Sequence, residues 1–345
     1  MNIGGKKKKH HSKKHNSKKR NNKKRHTKHH TKHHTKRHTK HHTKHHTKHH
    51  TKRHTKPDKK TRLSQFKKVS CSPGKLTRKT YHTCYNNSAL INMRRLWNAR
   101  HPDDKILNDN PRNIWRELRD KMSHVCETEK CWLNQHFMNN NISEELKTYT
   151  FAPSMPYKWK NNINEWLTST DLTQAMRHIE HAHKDFVFLG PSPIDFDLVK
   201  DGECIWPELC NFDLHKMRQK GKRKIGMIFN LDPHFKGGSH WVSVFVDCDR
   251  KFVFFFDSNG DPTPKEIVKL AERIKAQGER DKLNLEIREN APMEHQYENT
   301  ECGIYSIYFI KSMVEGAHYN KFTEKGERIP DEKMEELRKI YFSEL

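Results

Sequence analysis

The chain has 345 residues, with 68 Lys and Arg against 42 Asp and Glu and a formal charge of +26 at pH 7. Its longest unbroken apolar run, Phe252 to Phe256, is far below the ~20 residues that span a bilayer, and the lysine-rich start shows no apolar stretch of the kind a secretory signal needs. A membrane or secreted protein is therefore not expected; the cytosol or nucleus is, where the eight cysteines are read as buried thiols, metal ligands or catalytic groups rather than a disulfide framework.

The charge is concentrated at one end. Residues 1–62 hold 25 of the bases and a single acid, Asp58, for +24, which leaves 43 bases against 41 acids, or +2, in the remainder. Residues 26–56 repeat His-Thr-Lys-His with a period of four and no apolar side chain. Such a stretch has nothing to bury, so 1–62 is expected to be a disordered arm. With 16 of the 28 histidines, the arm reads as a solvated polycation that can also hold nucleic acid through counterion release or bind transition metals loosely.

Aliphatic and aromatic residues begin near Leu63. Two amphipathic helices are legible, at 88–99 and 111–123, the second with Asn110 as N-cap and Pro111 at its first position. They suggest a helical N-terminal domain over 63–150. It contains Cys71, Cys84, Cys126 and Cys131, whose separations (twelve residues within the first pair, four within the second) suit buried thiols better than a zinc site. An Asn-, Thr-, Ser- and Pro-rich stretch, 139–164, separates this unit from the C-terminal half of the chain.

From Trp166 onward, within a C-terminal domain taken as 151–345, the texture is α+β. Runs at 185–189, 224–230, 241–246, 251–256 and 283–288 have strand length and strand composition, and Asp249-Arg250 is short enough to join the third and fourth as a hairpin. A helix over 263–277 is expected to be capped by Thr263, to carry a capping box with Glu266 and to stop at Gly278. A segment that is apolar nearly all round, about 302–315, reads as a buried helix, and 331–342 reads as an amphipathic one.

Cys302 heads the apolar helix, where the positive end of the dipole and a nearby imidazolium favour a thiolate; the amide there is a natural oxyanion donor, and Gly303 lets a substrate backbone approach closely. The base and its orienting partner must come from the preceding strands. His240 enters one after Gly237-Gly238-Ser239, and Asp257 ends the next; across the expected hairpin the two face each other at one end of the sheet. Gln296, six residues before Cys302, can aim its amide at a developing oxyanion. Taken singly, these residues read as a buried thiol, a surface histidine and a turn former; it is their joint order that points to nucleophilic catalysis.

Together they resemble the adenovirus-protease and SUMO-protease superfamily of cysteine peptidases. The carriers, within about 160–316, are Trp166-Leu167, His240-Trp241, Asp257-Ser258 with Gly260, and Gln296 followed by Glu301-Cys302-Gly303; Glu301 stands where the cellular SUMO proteases have Asp. The resemblance implies a papain-like core with Cys302 as nucleophile, His240 as base, Asp257 as its orienter, Gln296 as oxyanion donor, and Trp166 and Trp241 lining a narrow channel for a Gly-Gly strand. The segment 188–196 and the cysteine-bearing helical unit further resemble polyprotein-processing proteases of large cytoplasmic DNA viruses. That implies a viral core polyprotein as substrate, location in the virion and host cytoplasm, and no metal or organic cofactor. DNA is an activator in adenovirus-type relatives, so the arm offers a means of coupling to nucleic acid. The alternatives are an enzyme that removes ubiquitin or a ubiquitin-like protein from host targets, and a nucleic-acid-binding virion protein acting through its arm.

Overall fold

The computed structural model describes residues 66–75 and 82–344; the arm assigned to 1–62 lies outside them. The described residues are organised on a five-stranded mixed sheet made of β1 (Phe186–Pro193), β2 (Lys224–Asn230), β3 (Trp241–Asp247), β4 (Phe252–Phe256) and β5 (Glu286–Glu289), neighbours in that order. The outer pairs, β1 with β2 and β4 with β5, run parallel, and the inner pairs are antiparallel. The expected α+β class is what the chain adopts.

The sheet is covered on both faces, which explains why its inner strands read as continuous apolar runs instead of alternating ones. Along β4, Phe252, Phe254 and Phe256 enter one hydrophobic cluster while Val253 and Phe255 enter the other. The first cluster contains helices α3 (Ser169–Ala182) and α5 (Cys302–Val314); the second is closed by α4 (Lys265–Arg280) through Ile267, Leu270 and Ile274. Every residue of α5 is buried, and Phe309 stacks on Phe256 with ring centroids 4.7 Å apart. Burying one such ring contributes roughly 1.5–3 kcal/mol, so the position of α5 against the sheet is strongly specified. Gly226 on β2 permits the approach, since a Cβ there would lie 2.8 Å from Ile310 Cγ2.

The helices before the sheet, α1 (Asn87–Arg100) and α2 (Pro111–Met122), are capped by Asn86 and Asn110, and they enclose a third cluster around Leu90, Met93, Ile114, Leu118 and Trp132. The stretch 139–164 is built into the fold: Phe151 bridges to Cys71, Ser154 bridges to Ser343, and Trp159 is buried. Helix α6 (Asp331–Tyr341) packs on α5 near the end of the chain. Among the described residues, no helix is long and apolar enough to cross a membrane.

Several expectations are corrected. Three disulfides are present, Cys71–Cys84, Cys126–Cys131 and Cys204–Cys210, leaving Cys248 and Cys302 as free thiols among the described residues. The fold brings the paired Cα atoms to 5.2, 5.5 and 6.4 Å, a closeness that neither spacing nor compartment reveals. At α4 there is no capping box: the Thr263 hydroxyl donates to Glu289 Oε2 at 2.6 Å, and the helix starts at Lys265. Nor does Gly278 end it. The residue is helical, and its bare Cα lies against Leu285. Helix α3, which was not anticipated, has a complete capping box between Thr168 and Asp171.

Candidate active site

The hairpin of β3 and β4 aligns Ser243 with Phe256, and continuing this register places Asp257 opposite Val242. His240 and Asp257 thus share one end of the sheet as diagonal neighbours, not as a directly opposed pair. An imidazole bridges that offset: His240 Nε2 donates to Asp257 Oδ1 at 2.6 Å. The carboxylate is 1% exposed and is held from behind. Its Oδ1 also accepts the Asn259 amide at 2.9 Å, while the backbone N–H and C=O of Asp257 are both engaged by the Asn290 side chain, at 2.8 and 2.7 Å.

With Nε2 committed to Asp257, the other ring nitrogen of His240 is left for the Cys302 thiol, which adds to the electrostatic stabilisation of the charged ring. Burial opposes the charged imidazole. The bond to Asp257 and then the contact with Cys302 outweigh it and raise His240 from 6.5 to about 10. An imidazolium beside a sulfur at the head of a buried helix is the electrostatic condition for a reactive thiolate.

Gln296 is 4% exposed and joins the site through the residue after Asp257: Ser258 Oγ donates to Gln296 Oε1 at 2.7 Å. Gln296 Nε2 donates to the Glu298 carbonyl at 2.6 Å, which orients the amide and leaves its second N–H. Trp241 is nearly buried and ties its indole N–H to the Leu167 carbonyl at 3.0 Å, whereas Trp166 is 42% exposed. Both line a cavity of about 670 Å³, together with Gly237, Gly238, Trp206, Pro191 and Asp232. Trp241, which lines the cavity, directly follows His240 in the chain, while His240, Asp257, Gln296 and Cys302 are not among the lining residues.

Gly303 does not face this cavity. A Cβ there would come within 3.0 Å of Leu167 Cβ and Cδ1, so the glycine is needed for the packing of α5 against the 166–167 segment. Sequence reasoning gave Ser258 no role beyond its place in the Asp257-Ser258 resemblance and passed over Asn290 and Arg338. Ser258 stood in a turn signature that explained it sufficiently, and Asn290 and Arg338 reach the site only through the fold.

A family model described as the Ulp1 protease family, C-terminal catalytic domain, matches residues 213–345. The chain is 31% identical over 241 residues to a protein of African swine fever virus named a SUMO-1 cysteine protease, covering 65% of this chain and 86% of that one. The chain belongs to the Ulp1 protease family. It is also 26% identical over 291 residues to a thiol protease of Acanthamoeba polyphaga mimivirus, covering 79% of this chain and 92% of the relative. The crystal structure of the African swine fever virus protease has the same fold, with a TM-score of 0.55 at 19% identity over 79% of this chain and 95% of that one. As a member of the Ulp1 family, the protein is a cysteine protease.

Proposed function

We propose that the protein is an endopeptidase in which Cys302 is the nucleophile. The Cys302 thiolate attacks the scissile carbonyl, and the Gln296 side-chain N–H and the backbone amide at the head of α5 stabilise the oxyanion. His240 gives its proton to the leaving amine, then takes one from the water that hydrolyses the thioester. Asp257 holds the ring in orientation throughout. The observation that carries this reading is the 2.6 Å bond between His240 and the buried Asp257, on a ring whose charge the thiol heading α5 also favours.

The proposed substrates are polypeptides with a Gly-Gly-type sequence before the cleaved bond. Trp166 and Trp241 both line the cavity, and the narrow channel that the family resemblance implies between them supports residues without side chains; the viral relatives support a structural polyprotein processed in the virion or in infected cytoplasm. A second reading, removal of a ubiquitin-like protein, is supported by the name of the African swine fever virus relative. The +24 segment at 1–62 supports nucleic acid as a further partner that retains the enzyme near packaged genome.

A panel of Gly-Gly-X peptides and a ubiquitin-like fusion, assayed with the full chain and with Cys302→Ala, tests the proposal. Turnover that disappears in the variant supports the nucleophile assignment, and the ratio of peptide to fusion rates separates the two substrates. Turnover that survives Cys302→Ala overturns it. Added DNA that raises the rate at low salt and loses its effect at high salt would support the coupling.

A further inference from the structure

Glu301 precedes Cys302 and occupies the N-cap of α5, yet its side chain caps nothing. The carboxylate turns away from the helix and meets Arg338 of α6 in a two-pronged bond: Nε to Oε2 at 3.0 Å and Nη2 to Oε1 at 2.8 Å. Both side chains are sealed from solvent, at 0% and 1% exposure. The same guanidinium donates from Nη1 to the carbonyl of Glu165 at 2.6 Å and from Nη2 to that of Thr300 at 3.2 Å, and it lies 4.4 Å from the Trp159 ring centroid. One planar group therefore grips the residue before the thiol and the residue before Trp166.

We propose that Arg338 is a positioning residue of the protease, which fixes the Trp166 wall of the substrate cleft relative to Cys302 and pairs the buried carboxylate of the residue before the thiol. This rests on the assignment of Cys302 above. The fork does both tasks because guanidinium donors are fixed in one plane; an ammonium supplies the charge without the geometry. Around Glu301 the other groups are Thr300, whose hydroxyl donates at 3.2 Å, and Glu335 on α6, which adds negative charge. Tyr305 lies one turn along α5 with its hydroxyl tied to Asp331. His240 faces the thiol from the sheet. Arg338 is thus the cation bonded to the carboxylate itself.

The two tasks separate by substitution. Arg338→Lys keeps the charge and loses the fork, so KM for a Gly-Gly peptide should rise roughly five- to tenfold while kcat and the acid limb of the pH–rate profile stay in place. Burial pushes the Glu301 carboxyl up and Arg338 opposes that rise; Arg338→Met therefore leaves any charge on the residue before the thiol without its cation, and the acid limb should move up by about one pH unit. In the double variant Glu301→Gln with Arg338→Met, the limb should return while KM stays high. Thermal melts and the alkylation rate of Cys302 by iodoacetamide are measured for each. Variants that lose activity only in proportion to melting temperature, with KM and the acid limb unmoved, would overturn the proposal, as would a double variant whose limb does not return. A wild-type enzyme whose turnover survives Cys302→Ala would instead remove the reading on which the proposal rests.

Discussion

Asp257→Asn removes the charge that holds His240 protonated and changes almost no volume. His240 rises from 6.5 to about 10 against the penalty of burial, with the Asp257 bond the first of the raising causes and Cys302 the next. At about 1.4 kcal/mol per pH unit, that rise corresponds to roughly 5 kcal/mol in favour of the imidazolium. Assigning about half to Asp257 gives roughly 2–3 kcal/mol, or a 30- to 150-fold loss of the thiolate–imidazolium pair. The assay is kcat/KM on a Gly-Gly peptide between pH 5 and 10, with iodoacetamide alkylation of Cys302 as a report independent of substrate. Because the aspartate raises the histidine, its loss should bring the basic limb to lower pH as well as reduce the plateau. The same linkage acts on stability: the wild-type gain is fully present below 6.5 and is lost as pH climbs through about 10, so the alkaline fall in melting temperature should be shallower in the variant. A variant within threefold of wild type whose basic limb has not moved would refute the reasoning.

Other consequences are equally specific. Gln296→Ala should lower kcat by roughly 10²–10³ with little change in KM, the mark of a donor used mainly in the transition state; equal losses in both would point to a binding role. Asn290→Ala deletes a buried side chain that satisfies the backbone of Asp257 on both sides, and at roughly 1–3 kcal/mol per stranded group it should destabilise by about 3–5 kcal/mol in urea unfolding. Gly226→Ala should cost about 1–3 kcal/mol by pressing on Ile310 and the Phe186 ring, and a neutral result would show that α5 can give way.

Periodicity and chemistry made much of this fold legible. The apolar runs at 224–230, 241–246 and 251–256 had to be covered on both faces, the 302–315 segment had to be buried, and the 249–250 break between two such runs had to be a hairpin. Those constraints alone carried His240 and Asp257 to one end of a sheet, and the helix start carried Cys302 to an electropositive position. Helix α3 escaped notice although Thr168 and Asp171 spell its capping box, because the stretch before it was dominated by turn-forming residues. The Thr263 box was legible and did not form, since Glu289, distant in sequence, takes the hydroxyl.

What tertiary structure alone decided are the contacts between residues far apart in the chain. No local pattern specifies that Arg338 spans 37 positions to reach Glu301, that Asn290 clasps Asp257, or that Leu167 fills the space Gly303 leaves open. Disulfide pairing is of the same kind, for a thiol's partner depends on where the backbone brings the Cα atoms and not on spacing. Local sequence fixes periodicity, caps and the chemical type of a side chain, because those depend on neighbours within a turn or a strand. The orientation of a catalytic group depends on packing among distant segments, and only the assembled core supplies it.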